Sequence, residues 1–403
     1  MAKKNSKKTV PELRFRGFTD PWEQRQLGEV VVRRSAQAIS TEDMPSVEYE
    51  DVEAGRGALA TSFTFKEGKS GIRFEPGDVL YGKLRPYLGN RLEPDFRGVA
   101  VGDWWVLAPL SVTSSFLFSL IQSPRFVTVA NQSSGSKMPR ADWKLVGSAA
   151  FGIPSLPEQH CIGEFFSTLD SLIAAAERQE VLLRQKKQVY LQLMFPREGE
   201  TQPRLRFAGF SGEWQQRQLG ELGSAISGVG FPDAEQGGAG GLPFYKVSDM
   251  NLSGNELVMS ASSNYVSAEQ VMKNHWKPIT TIPAIIFAKV GAAVFLDRKR
   301  VAATPFLMDN NMMAYIPNGK SWDVDFCLSV FNRIRLSNLA RIGALPSINA
   351  SDVEQHHIAL PGLPEQHHIG SFFSTLDNLI AASEKRTASF RALKSAYLQR
   401  MFV

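Results

Sequence analysis

A twenty-residue segment near the start of the chain recurs 192 positions later, and this repetition constrains the fold more than any other feature. Residues 11–30 read PELRFRGFTDPWEQRQLGEV and residues 203–222 read PRLRFAGFSGEWQQRQLGEL, identical at thirteen of twenty positions. A second pair follows in the same order. Residues 154–177 (PSLPEQHCIGEFFSTLDSLIAAAE) and 361–384 (PGLPEQHHIGSFFSTLDNLIAASE) share nineteen of twenty-four. The chain is a tandem of two halves, each with a short motif, a long variable region and a second motif. The second motif repeats at an offset of 207, so the intervening region is 15 residues longer in the second half. The variable regions, roughly 31–152 and 223–359, show little identity. Similar frames around dissimilar inserts imply one scaffold presenting two different recognition surfaces.

The second motif has the period of a long helix. Apolar residues fall three and four apart at Ile162, Phe165, Leu169, Leu172, Ala176, Leu183, Tyr190 and Leu193. The second copy has Ile369, Phe372, Leu376, Leu379, Phe390, Leu393 and Tyr397. Pro157 and Pro364 suit a first helical turn, and Glu158 and Glu365 suit the positive end of the helix dipole. About five heptads predict a helix of about 36 residues, about 54 Å long. A helix of that length needs a partner to bury its stripe, and the other copy is the obvious one; a core helix of a larger bundle is the alternative. Phe166, Ile173, Phe373 and Ile380 fall beside the predicted seam, where they would be free to meet another protein. The expected segments are a basic tail (1–10), a first domain (11–152), its helix (153–195), a polar linker (196–202), a second domain (203–359) and its helix (360–403).

Both variable regions read as compact, strand-rich α/β domains. VLYGK and IIFAK align a buried strand ending in Lys83 with another ending in Lys289. Arg85, Tyr87 and Arg91 lie near the first lysine, and Arg298, Lys299 and Arg300 near the second. Basic residues interleaved with an aromatic suit phosphate contact and base stacking, whereas a lysine at a strand end is equally a solvated guard of a sheet edge. The loops before the long helices, SSGSKMPR (133–140) and RIGALPSIN (341–349), supply Lys137, Arg140, Ser347 and Asn349, residue types that donate to phosphates and base edges. Plain polar loops would read the same way.

Signs of catalysis are absent from the sequence. Gly68-Lys69-Ser70 and Gly319-Lys320-Ser321 end like a phosphate-binding loop, but Phe63 and Ala314 stand where the earlier glycine is required. The adenine-methyltransferase tetrapeptide Asn/Asp-Pro-Pro-Tyr does not occur. His356, His357, His367 and His368 suggest a metal site, yet the first half has Ala149, Ala150, His160 and Cys161 there, so no metal site is shared. The balance of 45 Lys plus Arg against 40 Asp plus Glu, with a pI near 9.1, is compatible with a polyanionic partner without demanding one. Two cysteines suit a reducing, cytoplasmic setting, and no uninterrupted apolar stretch suggests a membrane span.

Taken together, P-x-LRF-x-GF…W-x-QRQLGE, a variable region, LPEQ-x-x-IG-x-FFSTLD-x-LIA, and the same plan again resemble the specificity (S) subunit of Type I restriction–modification systems, from Pro11 to Val403. The resemblance implies a mixed α/β chain. Two globular target-recognition domains would be joined by two long central helices in an antiparallel coiled coil, as a pseudo-twofold tandem repeat. Each domain would read one half of a split double-stranded DNA target. It further implies a non-catalytic chain that binds no cofactor itself. Two methyltransferase (M) subunits using S-adenosylmethionine, and two restriction (R) subunits using ATP and Mg, would supply the chemistry. A coiled-coil adaptor with two protein-binding heads is the alternative, and it predicts no affinity for DNA.

Overall fold

The computed structural model describes residues 10–60, 62–132, 138–197, 199–341 and 345–403. The chain divides into two compact units, one running up to Ala176 and adding Arg386–Val403, the other comprising Glu177–Lys385. These limits differ from the expected segments. Each unit holds one variable region, the first part of the long helix that follows it and the last part of the other long helix.

In the first unit a four-stranded antiparallel sheet runs in the order Val31–Arg33, Trp104–Pro109, Val79–Gly82, Arg91–Leu92. In the second unit the order is Gly223–Ser227, Met312–Pro317, Ala284–Ala288, Lys299–Ala302. The inner strands are unbroken apolar runs because both faces are covered. Alternation along each strand assigns the faces. Val79 and Tyr81 pack with Phe116, Leu117 and Phe126 of helices Ser114–Leu120 and Pro124–Ala130. Leu80 turns the other way, onto Val47, Phe74 and Ala100 of a smaller sheet. Likewise Ile285 and Phe287 pack with helix Val324–Arg333, while Ile286 faces Tyr245, Phe306 and Met308. The smaller sheets pair Ser46–Val47 with Gly98–Ala100, and Leu242–Tyr245 with Leu307–Met308, both in parallel.

The long helices span Leu156–Leu193 and Leu363–Met401. Within the first unit Phe165 meets Tyr397 edge-on at 4.8 Å between ring centres, and Asp170 Oδ1 lies 2.5 Å from Lys394 Nζ. Within the second unit Tyr190 meets Phe372 at 5.0 Å, and Asp377 Oδ1 lies 2.5 Å from Lys187 Nζ. In each unit, therefore, the beginning of one helix lies beside the end of the other. Lys394 also donates to Gln122 Oε1, and burial lowers its ammonium pKa. Such buried pairs add little net stability but penalise a shifted register, where each charge would lose its partner.

The apolar stripe differs from the expected one. Leu172 and Leu379, placed in the seam by their spacing, are 43% and 48% exposed, and Leu393 is also exposed. Phe166 and Phe373, expected to face outward, are each 1% exposed and belong to the cores of their units. Ile380 is buried and Ile173 half-buried. Each helix packs against a globular region as well as the other helix, so its buried arc is wider than a two-position seam and is displaced around the axis.

Candidate nucleic-acid interface

The repeated motifs form the frame on which each variable region is mounted. The QRQ of the first motif becomes a strand: Glu23–Gln26 pairs with Ala150–Ile153, and Gln215–Gln218 with His357–Leu360, just ahead of each long helix. The Glu and Gln of LPEQ hold that junction. Glu158, fully buried, accepts two bonds from Arg14 at 2.6 and 2.7 Å and one from the Trp22 indole. Glu365 does the same for Arg206, at 2.7 Å through both oxygens. Gln159 accepts from the Thr113 amide, and Gln366 from that of Asp323; these are the residues that cap helices Ser114–Leu120 and Val324–Arg333. The glycine of LPEQ-x-x-IG allows the same helices to approach: a methyl at Gly163 would overlap Ser115, and one at Gly370 would overlap Asp323 and the Phe326 amide.

On this frame the two candidate regions of each half come together in matching geometry. The Lys83 amide donates to Asp103 O at 2.9 Å, and its carbonyl accepts from Ala141 N at 2.8 Å. The Lys289 amide donates to Asn311 O at 2.8 Å, and its carbonyl accepts from Ile348 N at 2.9 Å. Two residues on, Arg85 N donates to Pro139 O and Gly291 N to Pro346 O. Both residues take the left-handed conformation, with φ 48° and 73°. Each strand-end lysine is thus clasped between the loop that enters the last strand and the loop that precedes the helix cap. Asp142 and Asn349 begin the next helices.

The side chains on this shared backbone differ. In the first unit Asp103 lies between two cations, 3.7 Å from Lys83 Nζ and 3.0 Å from Arg140, whose guanidinium pKa it raises. Tyr87 is exposed, and Arg85 is half-buried. In the second unit Lys289 Nζ donates to Ser227 Oγ at 3.0 Å, Ser347 is half-buried, and exposed Asn349 forms a capping box with Asp352. Arg298 bonds Asn251. Lys137 lies outside the described residues.

Two expected contacts with nucleic acid are corrected. Arg91 is 9% exposed; it donates to the carbonyls of Gly55 and Gly89 and stacks on Phe118, and burial pushes its pKa down to about 10. Lys299 is 5% exposed, donates to Ile334 O and pairs with Asp297 at 2.7 Å, and burial lowers its pKa. Both tie loops to their own domain. Side-chain direction alternates along a strand, and the local charge pattern does not reveal which basic residue faces inward.

Other residues escaped the sequence reading. Arg33 lies over the Trp143 ring at 5.4 Å, so an exposed cation sits on the helix that follows Arg140. The Lys187–Asp377 and Lys394–Asp170 pairs had a signal: KQVYLQLMF (187–195) and KSAYLQRMF (394–402) repeat at the offset of the LPEQ motif. His367 lies 3.2 Å from Asp323, and His368 packs on Phe207 and Phe210.

A family model described as the Type I restriction modification DNA specificity domain matches residues 211–389. The chain also aligns over 396 residues with the Type I restriction enzyme MjaIX specificity subunit of Methanocaldococcus jannaschii, at 22% identity, covering 90% of this chain and 85% of the relative. The second half of the chain carries the Type I DNA specificity domain, and the chain as a whole is similar to the specificity subunits of Type I restriction–modification systems. DNA-target specificity is the role of that family, whose specificity subunit is the non-catalytic member of such systems. The fold agrees. The crystal structure of the Type I S subunit from M. genitalium superposes with a TM-score of 0.64 at 14% identity, covering 98% of this chain and 99% of that one. A chain from a structural study of complex assembly and conformational transition in a type I R-M system gives 0.54 at 20% identity, covering 94% and 96%. Among the described residues, no helix is long and apolar enough to cross a membrane.

Proposed function

We propose that each unit reads one half of a bipartite double-stranded DNA target through the surface around its strand-end lysine. The observation that carries this reading is one backbone clasp built twice, around Lys83 and around Lys289, with different side chains on each copy. A shared scaffold with unlike side chains suits two unlike half-sites on a duplex whose backbone has twofold symmetry. Lys83, Arg85, Arg140, Lys289 and Arg298 would meet phosphate, and Tyr87, Ser347 and Asn349 would meet bases. The two long helices would act as one antiparallel coiled coil related by a pseudo-twofold axis. Two M subunits with S-adenosylmethionine would methylate adenine, and two R subunits with ATP and Mg would cleave.

The test is the salt dependence of binding to the target duplex, with the target read from the methylated bases of a cell carrying the system. Lys83→Ala and Lys289→Ala should each weaken binding across sequences and reduce the slope of log affinity against log salt by about 1. An unchanged slope would make these lysines guards of a sheet edge.

For docking of the M subunits, the burial pattern favours Leu172 and Leu379 over Phe166, Ile173, Phe373 and Ile380. Leu172 and Leu379 occupy equivalent positions of the repeat, and both are exposed on their helices. Leu172→Glu should reduce the assembly from two M subunits to one, as read by native mass measurement. Retention of both would remove Leu172 from the interface.

A further inference from the structure

A short 3-10 turn follows each strand-end lysine, Pro86–Leu88 in one unit and Gly291–Leu296 in the other. Their sequences are unrelated, yet each ends in an aromatic residue and a leucine that project into solvent. Tyr87 and Leu88 are 61% and 37% exposed, and Phe295 and Leu296 are 63% and 57% exposed. Across each clasp a further apolar side chain is exposed, Met138 before Pro139 and Leu345 before Pro346. Tyr87, Leu88, Phe295 and Leu296 belong to none of the apolar clusters of their units. A single exposed leucine needs no explanation, but an aromatic–leucine pair ending the turn after the lysine in two dissimilar domains does.

Charge identifies the occupant. The pairs are flanked by Lys83, Arg85 and Arg140 in the first unit and by Lys289 and Arg298 in the second. An apolar tip with cations close in the chain and across the clasp is complementary to a duplex, whose backbone is anionic and whose stacked bases are apolar.

We propose that Tyr87–Leu88 and Phe295–Leu296 are wedges, each entering a base step of its half-site and kinking the duplex there. This rests on the bipartite reading above and assigns these residues a role distinct from that of the lysines. A wedge works through unstacking, so its contribution depends on how readily the step opens and carries no counterion term.

The experiment uses the full chain assembled with its methyltransferase partners, on a target duplex labelled at both ends for energy transfer. The double substitutions Tyr87→Ala with Leu88→Ala, and Phe295→Ala with Leu296→Ala, should each reduce the bend and lower affinity roughly tenfold while leaving the salt slope unchanged. A mismatched pair placed at the opened step should restore most of that affinity, because the unstacking cost is already met. Tyr87→Phe should retain the bend. The inference is overturned if both double variants bend and bind DNA like the parent, or if they lose a methyltransferase subunit by mass, which would make the patch a protein contact. If the wedge variants behave like the parent while Lys83→Ala and Lys289→Ala lose salt-dependent affinity, the wedge fails and the bipartite reading stands. If none of the four changes DNA binding, both fail.

Discussion

Replacing residues 31–152 with the matching region of a relative should rewrite one half of the methylated sequence and leave the other half unchanged. The exchanged segment carries the whole first sheet pair and the clasp around Lys83, while Arg14, Trp22 and Glu158 lie outside it. The frame that mounts the domain is therefore retained except for the strand Ala150–Ile153, which pairs with Glu23–Gln26 and is exchanged up to residue 152. Of the contacts that cross the junction, two with the first long helix set conditions on the incoming region. Thr113 N must find Gln159, and the residue taking the place of Ser115 must be small enough to lie against Gly163. Sequencing of modified bases in cells expressing the chimera gives the result. A change in both halves, or in neither, would show that the first unit does not read its half-site independently.

Removing the carboxylate of the frame should be among the most damaging single changes. Glu158→Ala leaves the Arg14 guanidinium, 12% exposed, and the buried Trp22 indole N–H without their acceptor. Breaking a buried pair from one side costs about 3–5 kcal/mol. Glu365→Ala should cost less, because Arg206 keeps the carbonyls of Ser211 and Gly212 at 3.1 and 2.6 Å. Urea unfolding of the two variants beside the parent measures the difference. Equal losses would mean that the residual carbonyl bonds contribute nothing, and no loss in either would make the clamp incidental.

The organisation of the molecule could be read from its amino acids. Two nearly identical frames, the long helical period after each LPEQ, and the alignment of Lys83 with Lys289 are all visible in the chain, and the matching backbone bonds of the two lysines agree with that alignment. Local repetition and periodicity carry this information because a helix forms from neighbours three and four apart, and similar segments meet similar surroundings. The tertiary structure decided which side chains face inward. Phe166 and Phe373 pack into their units while Leu172 and Leu379 are exposed, since each helix is covered from two sides by segments distant in sequence. Arg91 and Lys299 bind carbonyls of their own domains, whereas Tyr87 and Phe295 remain in solvent. Glu158 finds Arg14 across 144 positions and Lys394 finds Asp170 across 224. The role of a charge depends on what the chain wraps around it, and those neighbours are set by packing between segments far apart in sequence.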